Sequence, residues 1–130
     1  MEEVYKFLKT CGTYYLATMD GDQPRVRPFG TIDRYHGQLT IQTGRKKDVA
    51  KQMLANPKVE ICAFAGSHGL RVTAKAIEVP EVAAQEHMLH EYPQLRAAYA
   101  PGDGNTTIFA LTEVTATFSS FTEPSRTITF

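Results

Sequence analysis

Three features of this sequence predict a mainly β, α+β fold: a small antiparallel barrel of six to seven strands with helices at its periphery. Apolar and polar positions alternate in short runs, as in Leu70, Val72, Ala74 and Ala76 against Arg71, Thr73 and Lys75. Turn signals separate the runs: Asp20-Gly21, His36-Gly37 and Gly66-Ser67-His68-Gly69. Helical periodicity is confined to short stretches between strands. Closure of such a sheet removes its exposed edges, which favours a barrel over an open sheet.

Taken in order, residues 2–9 carry Val4, Phe7 and Leu8 at helical spacing behind acidic Glu2 and Glu3, which marks a short amphipathic helix. Residues 14–19, 23–29, 30–35 and 38–43 follow as a meander. In the second of these Arg25 and Arg27 alternate with Val26 and so share one face, and Pro28 removes a ladder donor, as at a bulge, an edge or a ligand contact. A short helix ends at Asn56-Pro57. Residues 59–65 and 70–76 form a hairpin, and Pro80 opens a helix over 81–92. Residues 93–99 form a second turn or helix. The Gly- and Asp-rich stretch 100–105 is expected to be a mobile loop, before one long strand over 108–121 whose Thr and aromatic content suits a pleated surface.

The 130 residues make one domain, 1–130, with a single core. Basic and acidic side chains balance at 14 each, so no overall field draws the chain to nucleic acid or to an anionic membrane, and any anion site must be local. No apolar run reaches the roughly 20 residues of a membrane span. Met1-Glu2-Glu3 lacks the basic start of a signal peptide, and the expected location is cytoplasmic. Cys11 and Cys62 lie far apart without a Cys-x-x-Cys pair, which reads as two reduced thiols.

Thr43-Gly44-Arg45-Lys46-Lys47-Asp48-Val49 turns out of an extended segment into the short helix. A helix N-terminus presents unpaired N–H groups and a partial positive charge, so three consecutive cations there are badly placed unless an anion sits among them. A phosphate dianion satisfies that arrangement. The alternative is a solvated basic turn in which Asp48 serves the helix start.

The ordered combination of Leu16-Ala17-Thr18-Met19-Asp20-Gly21-Asp22-Gln23-Pro24-Arg25-Val26-Arg27-Pro28-Phe29-Gly30, the basic turn, and Ala55-Asn56-Pro57-Lys58-Val59-Glu60-Ile61 resembles the pyridoxamine 5'-phosphate oxidase-like superfamily of FMN-binding split barrels. The resemblance covers residues 5–79, and the closing Ser120-Phe121-Thr122-Glu123-Pro124 with Ile128 and Phe130 is similar to the last hairpin of small bacterial members.

It implies FMN as cofactor, a homodimer with the flavin at the subunit interface, and oxidoreductase chemistry on a small molecule with NAD(P)H as possible donor. Arg25, Val26, Arg27 and Pro28 then approach the flavin ring. Gln42 and Thr43 stand where relatives place a hydroxyl near the phosphate or ribityl chain, and Arg45, Lys46 and Lys47 supply the phosphate cations. The flavin carries the reactive atom, so no catalytic side chain is nominated. A non-catalytic module holding FMN or haem as a sensor is the reading of a different class, and the deazaflavin F420 stays open as a partner. The segment 124–130 lacks the Arg-x-His pattern that closes the vitamin site of full-length oxidases. His87 and His90 share a helix but lack further recognisable ligands, and Ser67 lacks a nucleophile elbow.

Overall fold

A computed structural model describes residues 1–130. Helix α1 (Glu2–Cys11) leads into strands β1 (Tyr14–Asp20), β2 (Gln23–Phe29), β3 (Asp33–Tyr35) and β4 (Gln38–Gly44); helix α2 (Asp48–Ala55) precedes β5 (Lys58–Ala65) and β6 (His68–Val79). Helix α3 (Val82–Glu91) and a 3-10 turn (Pro93–Ala97) then lead to the long β7 (Thr106–Ser120) and the short β8 (Arg126–Thr129). The strands form one antiparallel sheet in the order β2-β1-β5-β6-β7-β4-β3, with β8 pairing β7. There are eight strands rather than six or seven, because residues 126–129 find ladder partners on the half of β7 that β4 does not use.

The two ends of that strand path, β2 and β3, are joined by residues 30–32 alone, so the sheet must curl until its ends meet as a split barrel. Residues 30–32 are not ladder strand, contrary to the expected start of β3 at Gly30. Their backbone bonds elsewhere: the buried Tyr14 hydroxyl donates to Thr31 O at 2.5 Å, and the Tyr92 hydroxyl accepts from Ile32 N and donates to Ile32 O, both at 3.1 Å. Burial also pushes the Tyr14 phenol well above its ordinary pKa, so it remains a donor.

Turn chemistry sets the hairpins. His36 and Gly37 both take positive φ (48° and 76°), as a tight two-residue connection between right-twisting strands requires. Within β7, Glu113 adopts φ 51° where the β6–β7 register shifts between Thr73 and Lys75. This bulge bends β7, which pairs with β4 before it and with β8 after it.

The core fills the barrel with inward residues of five strands: Leu16 on β1, Ile41 on β4, Ile61 on β5, Val72 on β6 and Phe109 on β7 are fully buried. Val4 and Leu8 of α1 close one end. Helix α3 lies on the outer face, where Ala84 and Met88 pack with Ile108 against Tyr35, Val79 and Tyr92. His87 extends from α3 to Asp33, Nδ1 to Oδ2 at 2.6 Å, and no third His, Cys, Asp or Glu side chain joins them. Cys11 and Cys62 are free thiols. No helix is long and apolar enough to cross a membrane.

The stretch 100–105 is pinned instead of loose. Asp103 accepts from Ala100 N at 3.0 Å, Asn105 N at 2.8 Å and Thr106 N at 2.7 Å, and these bonds hold its carboxyl below the usual range.

Two predictions follow the closure and the pinned loop. Tyr14→Phe leaves Thr31 O without its donor, so unfolding in urea should show a midpoint lowered by roughly 1–3 kcal/mol of stability with an unchanged slope. Because the Asp103 carboxyl is depressed in the fold, its stabilisation is complete above its unfolded pKa and disappears as pH falls through the folded value. The amide resonances of Ala100, Asn105 and Thr106 should shift together in acid in the wild type. In Asp103→Asn that shared titration should vanish.

Candidate functional site

A cleft of about 320 Å³ opens beside residues 30–32, where the end of β2, the end of β4, the start of α2 and the 3-10 turn converge. Arg27 and Pro28 line it from β2, Gln42 and Thr43 from β4, and Lys47 from the basic turn. Phe29, Gly30, Thr31, Val49, Tyr92, Gln94, Leu95 and Tyr99 complete the lining. A second groove shares Arg27, Lys47 and Val49 with the cleft and adds Asp20, Arg25, Val26, Asp48 and Gln52. The five residues Arg27, Pro28, Gln42, Thr43 and Lys47 are therefore gathered from three separate segments.

Arg27 is the most firmly held of the cations. It stands opposite Leu16 on the barrel's inner side, and its Nη1 donates to Thr18 Oγ1 at 2.7 Å and Leu16 O at 3.2 Å. Its Nη2 donates to Gln52 Oε1 at 2.8 Å, an oxygen that also accepts from Thr18 at 2.5 Å. Partial burial and neighbouring Arg25 lower its pKa, and Asp48 opposes the shift. A guanidinium remains protonated regardless, with donors left over for an anion. Arg25 points the same way but forms an exposed pair with Asp20 at 3.2 Å. Val26 lies on the opposite face, 69% exposed.

The three cations of the turn separate in space. Lys47 caps α2 and lines both concavities, beside a helix start that no side chain caps. Arg45 leaves the cleft and donates from Nη2 to both carboxylate oxygens of Glu78, at 2.5 and 2.6 Å. Lys46 lines neither concavity, and its backbone N donates to Asn105 Oδ1 at 3.2 Å. Gln42 and Thr43 are nearly buried, with Gln42 Nε2 donating to Thr106 Oγ1 and Thr43 O, both at 3.1 Å. Gly44 permits the close approach of Tyr99, just past the 3-10 turn: a Cβ there would meet the Tyr99 hydroxyl at 3.1 Å.

Sequence reasoning missed Tyr92, Leu95 and Tyr99. The available signal was a cluster of aromatic and apolar side chains around Pro93 in a segment too short to form its own core. A further concavity of about 450 Å³, between α1 and the β7–β8 connection, is lined by Lys6, His68 and the Glu3–Arg126 pair. Its acidic and basic groups already neutralise each other, and it contains none of the residues expected to bind a cofactor.

What the cleft can do chemically follows from its donors. Two cations and the free N–H groups of a helix start suit a phosphate at one end; Pro28, Phe29, Leu95 and Tyr99 provide flat packing surface beside it. These residues fit a flavin mononucleotide. No His, Cys or Met side chain lines the cleft to ligate a haem iron.

Comparisons with known proteins agree on the fold. The family model described as pyridoxamine 5'-phosphate oxidase matches residues 1–119. A NimC/NimA family protein from Clostridium acetobutylicum is 37% identical and superposes with a TM-score of 0.97 over 100% of this chain and 92% of that one. An FAD-binding protein from Mesorhizobium loti (18% identity, TM-score 0.62, 92% of this chain and 94% of that one) shares the fold alone. So does a haem-binding protein from Mycobacterium smegmatis (16% identity, TM-score 0.74, 98% of this chain and 57% of that one). No curated protein matches the chain by sequence. With its model matched over nearly the whole chain and a NimC/NimA relative of almost the same length, this protein belongs to the pyridoxamine 5'-phosphate oxidase-like family.

Proposed function

We propose that this protein is a homodimeric FMN-binding flavoprotein that works as an oxidoreductase on a small molecule, with NAD(P)H as donor. The observation that carries the reading is the convergence of Arg27, Lys47 and the uncapped start of α2 on one cleft walled by Pro28, Phe29 and Tyr99. Arg27 and Lys47 would hold the phosphate, and Gln42 and Thr43 would face the ribityl chain. FMN, when bound, supplies hydride or single-electron transfer at its ring. The chain's own contribution is to bind, to orient, and to set the charge around the reactive ring. Flavin is favoured over haem because the lining has no His, Cys or Met and its Tyr92 hydroxyl is already bonded to Ile32 N and O, and over F420 by the match between a short phosphate seat and a terminal phosphate.

The outer face of β2-β1-β5 supports the dimer. Tyr15, Val26 and Phe64 are 52, 69 and 62% exposed, and the pairs Tyr15–Pro28, Ala17–Val26 and Tyr15–Cys62 set them side by side with Cys62. A contiguous apolar patch of this kind on a small protein marks an interaction surface. Pro28 belongs both to this face and to the cleft lining, so a second copy docked on the patch would border the flavin.

Lys47→Ala should weaken FMN binding by roughly 1.5–3 kcal/mol, the worth of a charge-assisted bond to phosphate, and should leave riboflavin binding almost unchanged. Fluorescence titration with both ligands checks this; equal wild-type affinity for the two would refute the phosphate seat. Val26→Asp places a charge in the apolar face without disturbing the core. It should shift the sedimentation coefficient to that of a monomer and lower FMN affinity in parallel, because a ligand bound between subunits stabilises the dimer by mass action.

A further inference from the structure

Resting on the flavin reading above, the geometry points to Arg45 as a positioning residue that aims Lys47 and does not itself touch phosphate. The argument begins at Glu78. It falls on the inward alternation of β6 that includes Val72, Ala74 and Ala76, at the point where the strand leaves the core, and its side chain is only 19% exposed. A carboxylate so placed needs partners. It takes two: Thr107 Oγ1 donates to Oε2 at 2.6 Å, and Arg45 reaches both oxygens from its Nη2, a charge-assisted contact.

Arg45 is also held through its backbone. Its N–H donates to Asn105 O at 2.7 Å, and the next N–H, of Lys46, donates to Asn105 Oδ1 at 3.2 Å. Lys47 N then closes the turn on Gly44 O at 3.0 Å. One side of the turn is therefore bolted to β6 and the other to the loop that Asp103 pins. With both sides fixed, the next side chain along, Lys47, is the one directed at the cleft. A phosphate ligand would have to compete with Glu78 for Arg45, and moving Arg45 would strand a half-buried carboxylate.

Glu78 separates the alternatives because they give it opposite signs. If Arg45 were a phosphate ligand restrained by Glu78, then Glu78→Ala would free it and raise FMN affinity. If Arg45 is a positioning residue, Glu78→Ala and Arg45→Ala should each reduce the preference for FMN over riboflavin by about three- to tenfold. The double variant should be no worse than either single one, since both break the same strap. Fluorescence titration of the full chain with FMN and with riboflavin reads all of these, and Thr107→Val, which removes one bond to Glu78 and keeps the charges, gives a milder loss should Glu78→Ala fold poorly.

A gain of FMN affinity in Glu78→Ala, additive losses in the double variant, or an unchanged preference in both single variants overturns the inference while the phosphate seat stands. A wild type without preference for FMN overturns both together.

Discussion

Closing the sheet on itself is the constraint from which the rest of this structure follows. The strand path begins at β2 and ends at β3, and only residues 30–32 connect them. A connector that short cannot remain in a ladder, and a buried backbone without ladder partners must find others. The Tyr14 hydroxyl from inside the barrel and the Tyr92 hydroxyl from outside supply them. Tyr92 in turn fixes where the 3-10 turn sits, and that turn forms the outer wall of the cleft. The site is thus a by-product of the seam: space remains where two sheet ends meet without pairing.

The electrostatics of the cleft are arranged by partners outside it. Arg25 is drawn to Asp20, Arg45 to Glu78, and Arg27 to Thr18, Gln52 and the β1 backbone. What faces the cavity is a reduced set, one anchored guanidinium, one lysine and one helix start. That set is better matched to a single anionic group than the five cations of the sequence, since each unpaired cation in a small space repels the others.

The fold class and the residues that meet at the candidate site were legible in the sequence where they depend on local rules. Alternation put Arg25 and Arg27 on one face, Asp20-Gly21 and His36-Gly37 marked hairpins, and the basic turn at a helix start stood out against a neutral chain. The division of labour within Arg45-Lys46-Lys47 was not legible, because it is decided by Glu78 on β6 and Asn105 before β7, neither of which has any fixed spacing from the turn. The loop 100–105 was read from its Gly and Asp content as mobile. The same Asp, however, is the residue type that captures nearby backbone N–H groups, and in Asp103 it does so three times. Tyr92, Leu95 and Tyr99 escaped notice because their partner is the unpaired seam, which exists only once the barrel has closed.

The position of β7 in the sheet has a consequence for how the chain comes off the ribosome. β7 lies between β6 and β4, bonding one along most of its length and the other along its first half, yet it is made after both of them. Until residue 106 and beyond have emerged, the nascent chain can hold β2-β1-β5-β6 as one sheet and β3-β4 as a separate hairpin, each with an open edge facing the other. Vectorial synthesis therefore delivers two halves first and the strand that rivets them afterwards, so the barrel and its cleft are completed only once β7 has joined them.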